Sequence, residues 1–249
     1  MGYLLHQTLN DVEINDDLRN RILLFLYNTY YDGKFYDPQI TDEVLQQLDI
    51  SQNLIPIAHR NINYLEKAGY IQGQSVIGSR YPPWINILPQ GIDLVESFNT
   101  HYADLHWKVR FGILSNLYEQ YFASENAMVG VKSLVNSLAP IESNEVLIFG
   151  DVIYLRNKNI ISGEFSFGFF YPPWVSIDVL GIQIVEQIMN QSLVQIANSA
   201  VDSQTKKEAE EILRELDKKS KLEKFNQFLG RNSNIIELVI NIAKSFLTG

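Results

Sequence analysis

The chain has 249 residues, 46% of them hydrophobic and 20% charged, enough to bury a core in one to three domains. It contains no cysteine, which excludes disulfides, thiolate nucleophiles and Cys-ligated zinc. The net charge is −9, with 6 Lys and Arg against 12 Asp and Glu in residues 1–100, 5 against 9 in residues 101–200, and 9 against 8 in residues 201–249. Tight nonspecific binding of phosphate backbones needs clustered cations, so any such patch here is small and local. The first ten residues lack the basic flank and apolar core of a signal peptide, and no apolar run approaches the roughly 20 residues that span a bilayer. A soluble cytoplasmic protein is expected.

Residues 1–17 are polar and acidic and read as a loose lead-in, with Asp16 or Asp17 capping a helix that starts near Leu18. Ile22, Leu23, Leu26, Tyr27 and Tyr30 then mark one apolar helical face. After Asp32-Gly33, Thr41 is the expected N-cap of a short helix that turns Val44, Leu45 and Leu48 inward. Ser51 or Asn53 is expected to cap a longer helix with a buried stripe of Ile57, Ala58, Ile62 and Leu65, stopped by Gly69. Tyr70-Ile71 opens a strand, residues 73–79 turn, and Trp84 to Ile87 return. Pro89 begins a last helix carrying Ile92, Leu94 and Val95.

Tyr81-Pro82-Pro83-Trp84 occurs again as Tyr171-Pro172-Pro173-Trp174, ninety positions later. Gly73, Gly78, Ile87, Gly91, Val95 and Glu96 return at the same spacing as Gly163, Gly168, Ile177, Gly181, Val185 and Glu186. The first helix returns at an offset of 91, as Ile113, Leu114, Leu117, Tyr118 and Tyr121, with Arg19 matched by Arg110. A gapless match of this length indicates two copies of one folding unit. Each copy reads helix, helix, helix, two-stranded hairpin, helix. Its second and third helices form a helix-turn-helix and its hairpin a wing. The stretch from Tyr64 to Ile71, followed by Ile85 to Ile92, resembles the winged-helix families of bacterial and archaeal regulators. Leu88, and Asp178 or Val179 in the second copy, stand where those families usually carry Thr. The resemblance covers residues 18–98 and 108–190 and implies a fold class, not a function. The expected architecture is mainly α with small β-hairpins, an α+β chain. It comprises winged-helix domains at 18–100 and 108–198 and a helical tail at 204–249.

Residues 99–107 read as a solvated linker. His101, Asp104 and His106 lie there, without a third strong ligand for a metal site. Residues 191–203 taper off the second unit. Thr205 to Leu222 reads as one exposed amphipathic helix extending to Gly230, with Ile212, Leu213, Leu216 and Leu222 inward. Residues 235–247 form a helix apolar on nearly all sides, through Ile235, Leu238, Val239, Ile242 and Phe246. At about 1.5 Å per residue it is too short to cross a membrane. It must pack on a second copy, making a homo-oligomer, or on its own repeats.

In a DNA-reading winged helix the third helix enters the major groove. The candidates in the first copy are His59, Arg60, Asn61 and Asn63, with Arg80 on the wing. Asn can pair with adenine and Arg with guanine. The matching positions in the second copy are Phe149, Gly150, Asp151 and Ile153, and its wing carries Phe165, Phe167, Phe169 and Phe170, which suits a protein partner. Trp84 and Trp174 are expected to cover the base of each wing; the alternative is that the Pro-Pro-Trp segments are themselves ligands. No phosphate loop, nucleophile elbow or paired metal-binding histidines occur, so neither an enzyme nor a cofactor is expected. Two functions stay open: a regulator whose first domain touches double-stranded DNA, and an adaptor that binds only proteins.

Overall fold

The computed structural model describes residues 2–124, 127–166, 168–199, 201–232 and 235–247, and of residues 2–11, 100–102 and 247 the backbone alone. The chain divides into two compact units, residues 1–100 and 101–249. It is mainly helical, with small antiparallel sheets.

Unit 1 runs α1 (Gly2–Tyr31), β1 (Gln39–Ile40), α2 (Thr41–Gln47), α3 (Ile55–Lys67), β2 (Ile71–Gln74), β3 (Trp84–Ile87) and α4 (Pro89–Phe98). The predicted apolar faces make its core: Leu18, Ile22, Leu23, Leu26 and Tyr27 from α1 meet Val44, Leu45, Ala58, Ile62 and Leu65. Ile85 and Ile87 close it from the central strand, β3, which pairs antiparallel with β1 and with β2.

Four local expectations are corrected. The lead-in is absent: α1 is helical from Gly2, because nothing in residues 2–17 breaks the backbone ladder and Asn15 and Arg19 are tied to α3. The sheet gains a strand, β1, too short to show a period of two. Thr41 is not a cap but the first residue of α2; its hydroxyl donates to the Pro82 carbonyl at 2.5 Å and its N–H to that of Pro83 at 2.9 Å. Neither Ser51 nor Asn53 caps α3, whose N-terminus is opened instead by a turn and by Pro56.

Unit 2 repeats the order with α5 (Thr100–Ala123), β4 (Val129–Gly130), α6 (Val131–Leu138), α7 (Glu145–Asn157), β5 (Ile161–Ser162), β6 (Trp174–Ile177) and α8 (Val179–Asn198). Its sheet again has the last strand in the middle, in the order β4-β6-β5. The bonds repeat as well. Val131 N–H donates to the Pro173 carbonyl at 3.0 Å, and Tyr118 reaches Glu186 at 3.1 Å as Tyr27 reaches Glu96 at 3.4 Å. The recurring Gly91 and Gly181 have one cause: a Cβ there would lie 2.2 Å from the Tyr70 carbonyl oxygen and 2.4 Å from that of Ile160.

The expected linker is helix. α5 begins at Thr100, and Ala103, His106 and Trp107 are buried, because this turn of α5 packs into unit 2. The expected taper is also helix, since α8 continues to Asn198 and buries Leu193 and Ile196.

The tail contains three helices, α9 (Ser203–Leu213), α10 (Lys218–Arg231) and α11 (Ile236–Leu247). The single long helix expected there is interrupted at residues 214–217. Asp217 starts α10 by accepting from the Ser220 N–H at 2.7 Å, and Leu216, expected to face inward, is 93% exposed. α9 and α11 both pack on α8. No helix among the described residues is long and apolar enough to cross a membrane.

Candidate functional site

A polar clasp fastens the first helix of each unit to its third. In unit 1, Arg19 Nε donates to Asn61 Oδ1 at 2.7 Å, and Asn61 Nδ2 donates to Asn15 Oδ1 at 2.7 Å. In unit 2 the matching residues are Arg110, Asp151 and His106. Arg110 Nε donates to Asp151 Oδ1 at 2.8 Å, and His106 Nδ1 lies 2.9 Å from Asp151 Oδ2. Each guanidinium also lies over an equivalent ring, Arg19 over Tyr64 at 3.9 Å and Arg110 over Tyr154 at 3.6 Å. Burial alone would raise the Asp151 carboxyl, but His106 and Arg110 outweigh it and hold it below the usual carboxylate range. Asn61, expected to face a base, is therefore a buried internal residue. His106, expected in a solvated linker, is buried too.

The rest of the expected DNA face of unit 1 is only partly free. His59 stacks on Tyr81, with centroids 3.5 Å apart and planes 14° from parallel, and its Nε2 lies 3.4 Å from Asp42 Oδ1. Tyr81 donates to Asp42 at 3.1 Å; burial, with Asp42 beside it, pushes its phenol up. Asn63 Nδ2 donates to the Arg80 carbonyl at 3.0 Å, tying α3 to the wing. Arg60 and Arg80 keep exposed guanidinium groups.

Unit 2 differs at the same places. Phe149 replaces His59 and stacks on Tyr171, with centroids 4.0 Å apart. Lys132 replaces Asp42, so the Tyr171 hydroxyl loses the partner that Tyr81 has. Phe165 lies under the Arg156 guanidinium at 4.5 Å, and Phe169 stands edge-on to Tyr171. Phe167 is outside the described residues. Phe170, next to these in the wing, is 73% exposed.

The two Trp residues do not cover the wing bases. Trp84 is 37% exposed and Trp174 54%, because they lie on the outer face of the sheet while Ile85, Ile87, Val175 and Ile177 take the inner one. The packing role expected of Trp belongs to Pro82 and Pro172, which are buried. A groove of about 730 Å³ runs along the outer face of unit 2, lined by Trp174, Tyr171, Phe169, Met128, Gly130 and Lys132.

The tail residues expected at an intermolecular contact are largely internal. Ile235, Val239 and Ile242 are buried and Leu238 and Phe246 half-buried, because the apolar surface of α11 is met within unit 2. Polar ties hold the tail there: Asn226 donates to Glu119 at 3.1 Å, Lys218 to Glu186 at 2.5 Å and Lys244 to Asp104 at 2.5 Å. A second cavity, of about 630 Å³, lies between α5 and the tail helices, with Phe111, Leu138, Leu229 and Ile240 in its walls. No group of three or more His, Asp or Glu among the described residues is placed to hold a metal ion. Comparison with family models, with curated proteins and with solved structures finds no match to the chain.

Proposed function

We propose that the chain is a tandem winged-helix protein that works by binding another protein through the wing and outer sheet face of unit 2. The element order supports the fold reading, since in each unit a strand-flanked helix pair leads into a hairpin whose returning strand is central. The observation that carries the function is the exposed aromatic surface of Phe169, Phe170 and Trp174 beside Met128, where a nucleic-acid reader would present cations. Large aromatic groups on an exposed, locally rigid surface are typical anchors of protein interfaces. Asp151 is buried and adds no charge to this surface.

The test compares proteins captured by the full chain with those captured by a Phe170→Ala/Trp174→Ala variant. A partner retained by the first and lost by the second supports the reading; identical capture overturns it. A second reading, contact of unit 1 with double-stranded DNA, is favoured by the exposed Arg60 and Arg80. It requires a mixed-sequence duplex to bind at low salt and Arg60→Glu to weaken that binding. An unchanged titration curve removes it.

A further inference from the structure

The groove beside Trp174 has a feature that distinguishes the two units. In unit 1 the residue opposite Trp84 across the strand pair is Ile40; in unit 2 the residue opposite Trp174 is Gly130. Directly opposed side chains share a face of the sheet and touch. Gly130 has none, and a Cβ there would meet the Trp174 ring at 3.4 Å. The Trp174 ring leans over Gly130 and is 54% exposed, against 37% for Trp84, next to Phe169, Tyr171 and Pro173 in the same groove.

Two hydrogen-bond donors line the groove as well. The position that binds the Tyr81 hydroxyl in unit 1 is Asp42, and in unit 2 it is Lys132. The Tyr171 hydroxyl and the Lys132 ammonium have no hydrogen-bond or ion-pair partner among the described residues, and both border the groove. Lys132 is its one charged side chain among the described residues, so the complementary ligand is anionic. The sheet edges limit how that ligand binds. β4 and β5 are two residues each, against about five or six in an ordinary strand, too short to template an added strand. A polyproline segment needs no ladder: it arrives already extended and packs its rings on aromatic faces.

We propose that this groove binds an extended, proline-containing peptide carrying an acidic residue beside the proline. The proline ring lies on Trp174, and the carboxylate accepts from Lys132 and the Tyr171 hydroxyl. The proposal rests on the reading of unit 2 as a protein-binding surface and names the chemistry of the partner.

The experiment titrates the full chain with three labelled ten-residue peptides by fluorescence anisotropy. One has a central Pro-Pro pair flanked by Asp, the second the same pair flanked by Lys, and the third keeps Asp but replaces both prolines by Ala. The first should bind at least tenfold more tightly than the others. Gly130→Ile should weaken it at least tenfold by setting a branched side chain against the Trp174 ring, at the position where Ile40 stands opposite Trp84. The backbone accepts this change, since Gly130 (φ −64°, ψ 127°) nearly matches Ile40 (φ −68°, ψ 120°). Lys132→Asp, a surface change, should reverse the preference towards the Lys-flanked peptide. Equal affinity for all three peptides, no binding of any, or indifference to Gly130→Ile overturns the proposal. So does self-association that Gly130→Ile abolishes, because a second copy then owns the groove. If the peptides fail but the Phe170/Trp174 variant still loses a captured partner, the ligand class is wrong and the protein-binding reading stands; if both fail, both fall.

Discussion

Arg110 donates to Asp151 at 2.8 Å with both side chains fully buried, and the same two positions in unit 1 hold Arg19 and Asn61. The two units keep one clasp in two chemistries, Arg–Asn–Asn and Arg–Asp–His. Asp151→Ala would strand a buried guanidinium. It is expected to cost about 3–5 kcal/mol of stability. Replacing both His106 and Asp151 by Asn recreates the set of unit 1. That double change should cost less than the sum of its single changes by about 0.5–3 kcal/mol. Urea unfolding of the native chain, Asp151→Ala, the two Asn single variants and the double variant measures both effects.

The same carboxylate predicts an acid sensitivity. Asp151 binds its proton more weakly in the folded protein than in the unfolded chain, because His106 and Arg110 favour its charge. Its contribution is therefore complete above the unfolded value of about 3.9 and is lost as pH falls through the lower folded value. Unfolding midpoints measured from pH 6 down to pH 2 should fall more steeply for the native chain than for the His106→Asn/Asp151→Asn variant. Parallel curves would contradict this.

Gly91 and Gly181 sit in the first turn of α4 and of α8, against the carbonyl that immediately precedes β2 or β5. Alanine at either place drives a Cβ into a backbone oxygen that cannot rotate away. Each substitution is expected to lower stability by about 1–3 kcal/mol, read from thermal or denaturant midpoints.

The Trp residues should separate by burial. Trp107 is almost wholly enclosed, and Trp107→Ala is expected to cost about 3–5 kcal/mol. Trp174 lies on the open face of the sheet, and Trp174→Ala should stay within about 1 kcal/mol of the native chain. Comparable losses for the two would place Trp174 in the core after all.

Phe228 on α10 is fully buried within unit 2. Phe228→Ala is expected to destabilise that unit by about 3–5 kcal/mol. Light scattering should give the same subunit count before and after the change, since this side chain serves the interior of its own chain.

The duplication, the helical faces and the two hairpins were legible in the order of residues, because these are written in spacing. Ile22 to Tyr30, Ile85 with Ile87, and the repeated Tyr-Pro-Pro-Trp need no distant partner to be recognised. Tertiary structure decided which polar groups face inward. Asn61 lies between Ala58 and Ile62 on α3 and reads as solvated until Arg19 and Asn15, 42 and 46 residues away, are found against it. His106 and Asp151 are a pair of the same kind, separated by 45 residues. Tertiary structure also decided what covers α11. An apolar helix must leave water, but periodicity cannot say whether its cover comes from a second copy or, as here, from α8 of its own chain. Spacing records which face of an element is apolar; the identity of what meets that face is a property of the folded chain alone.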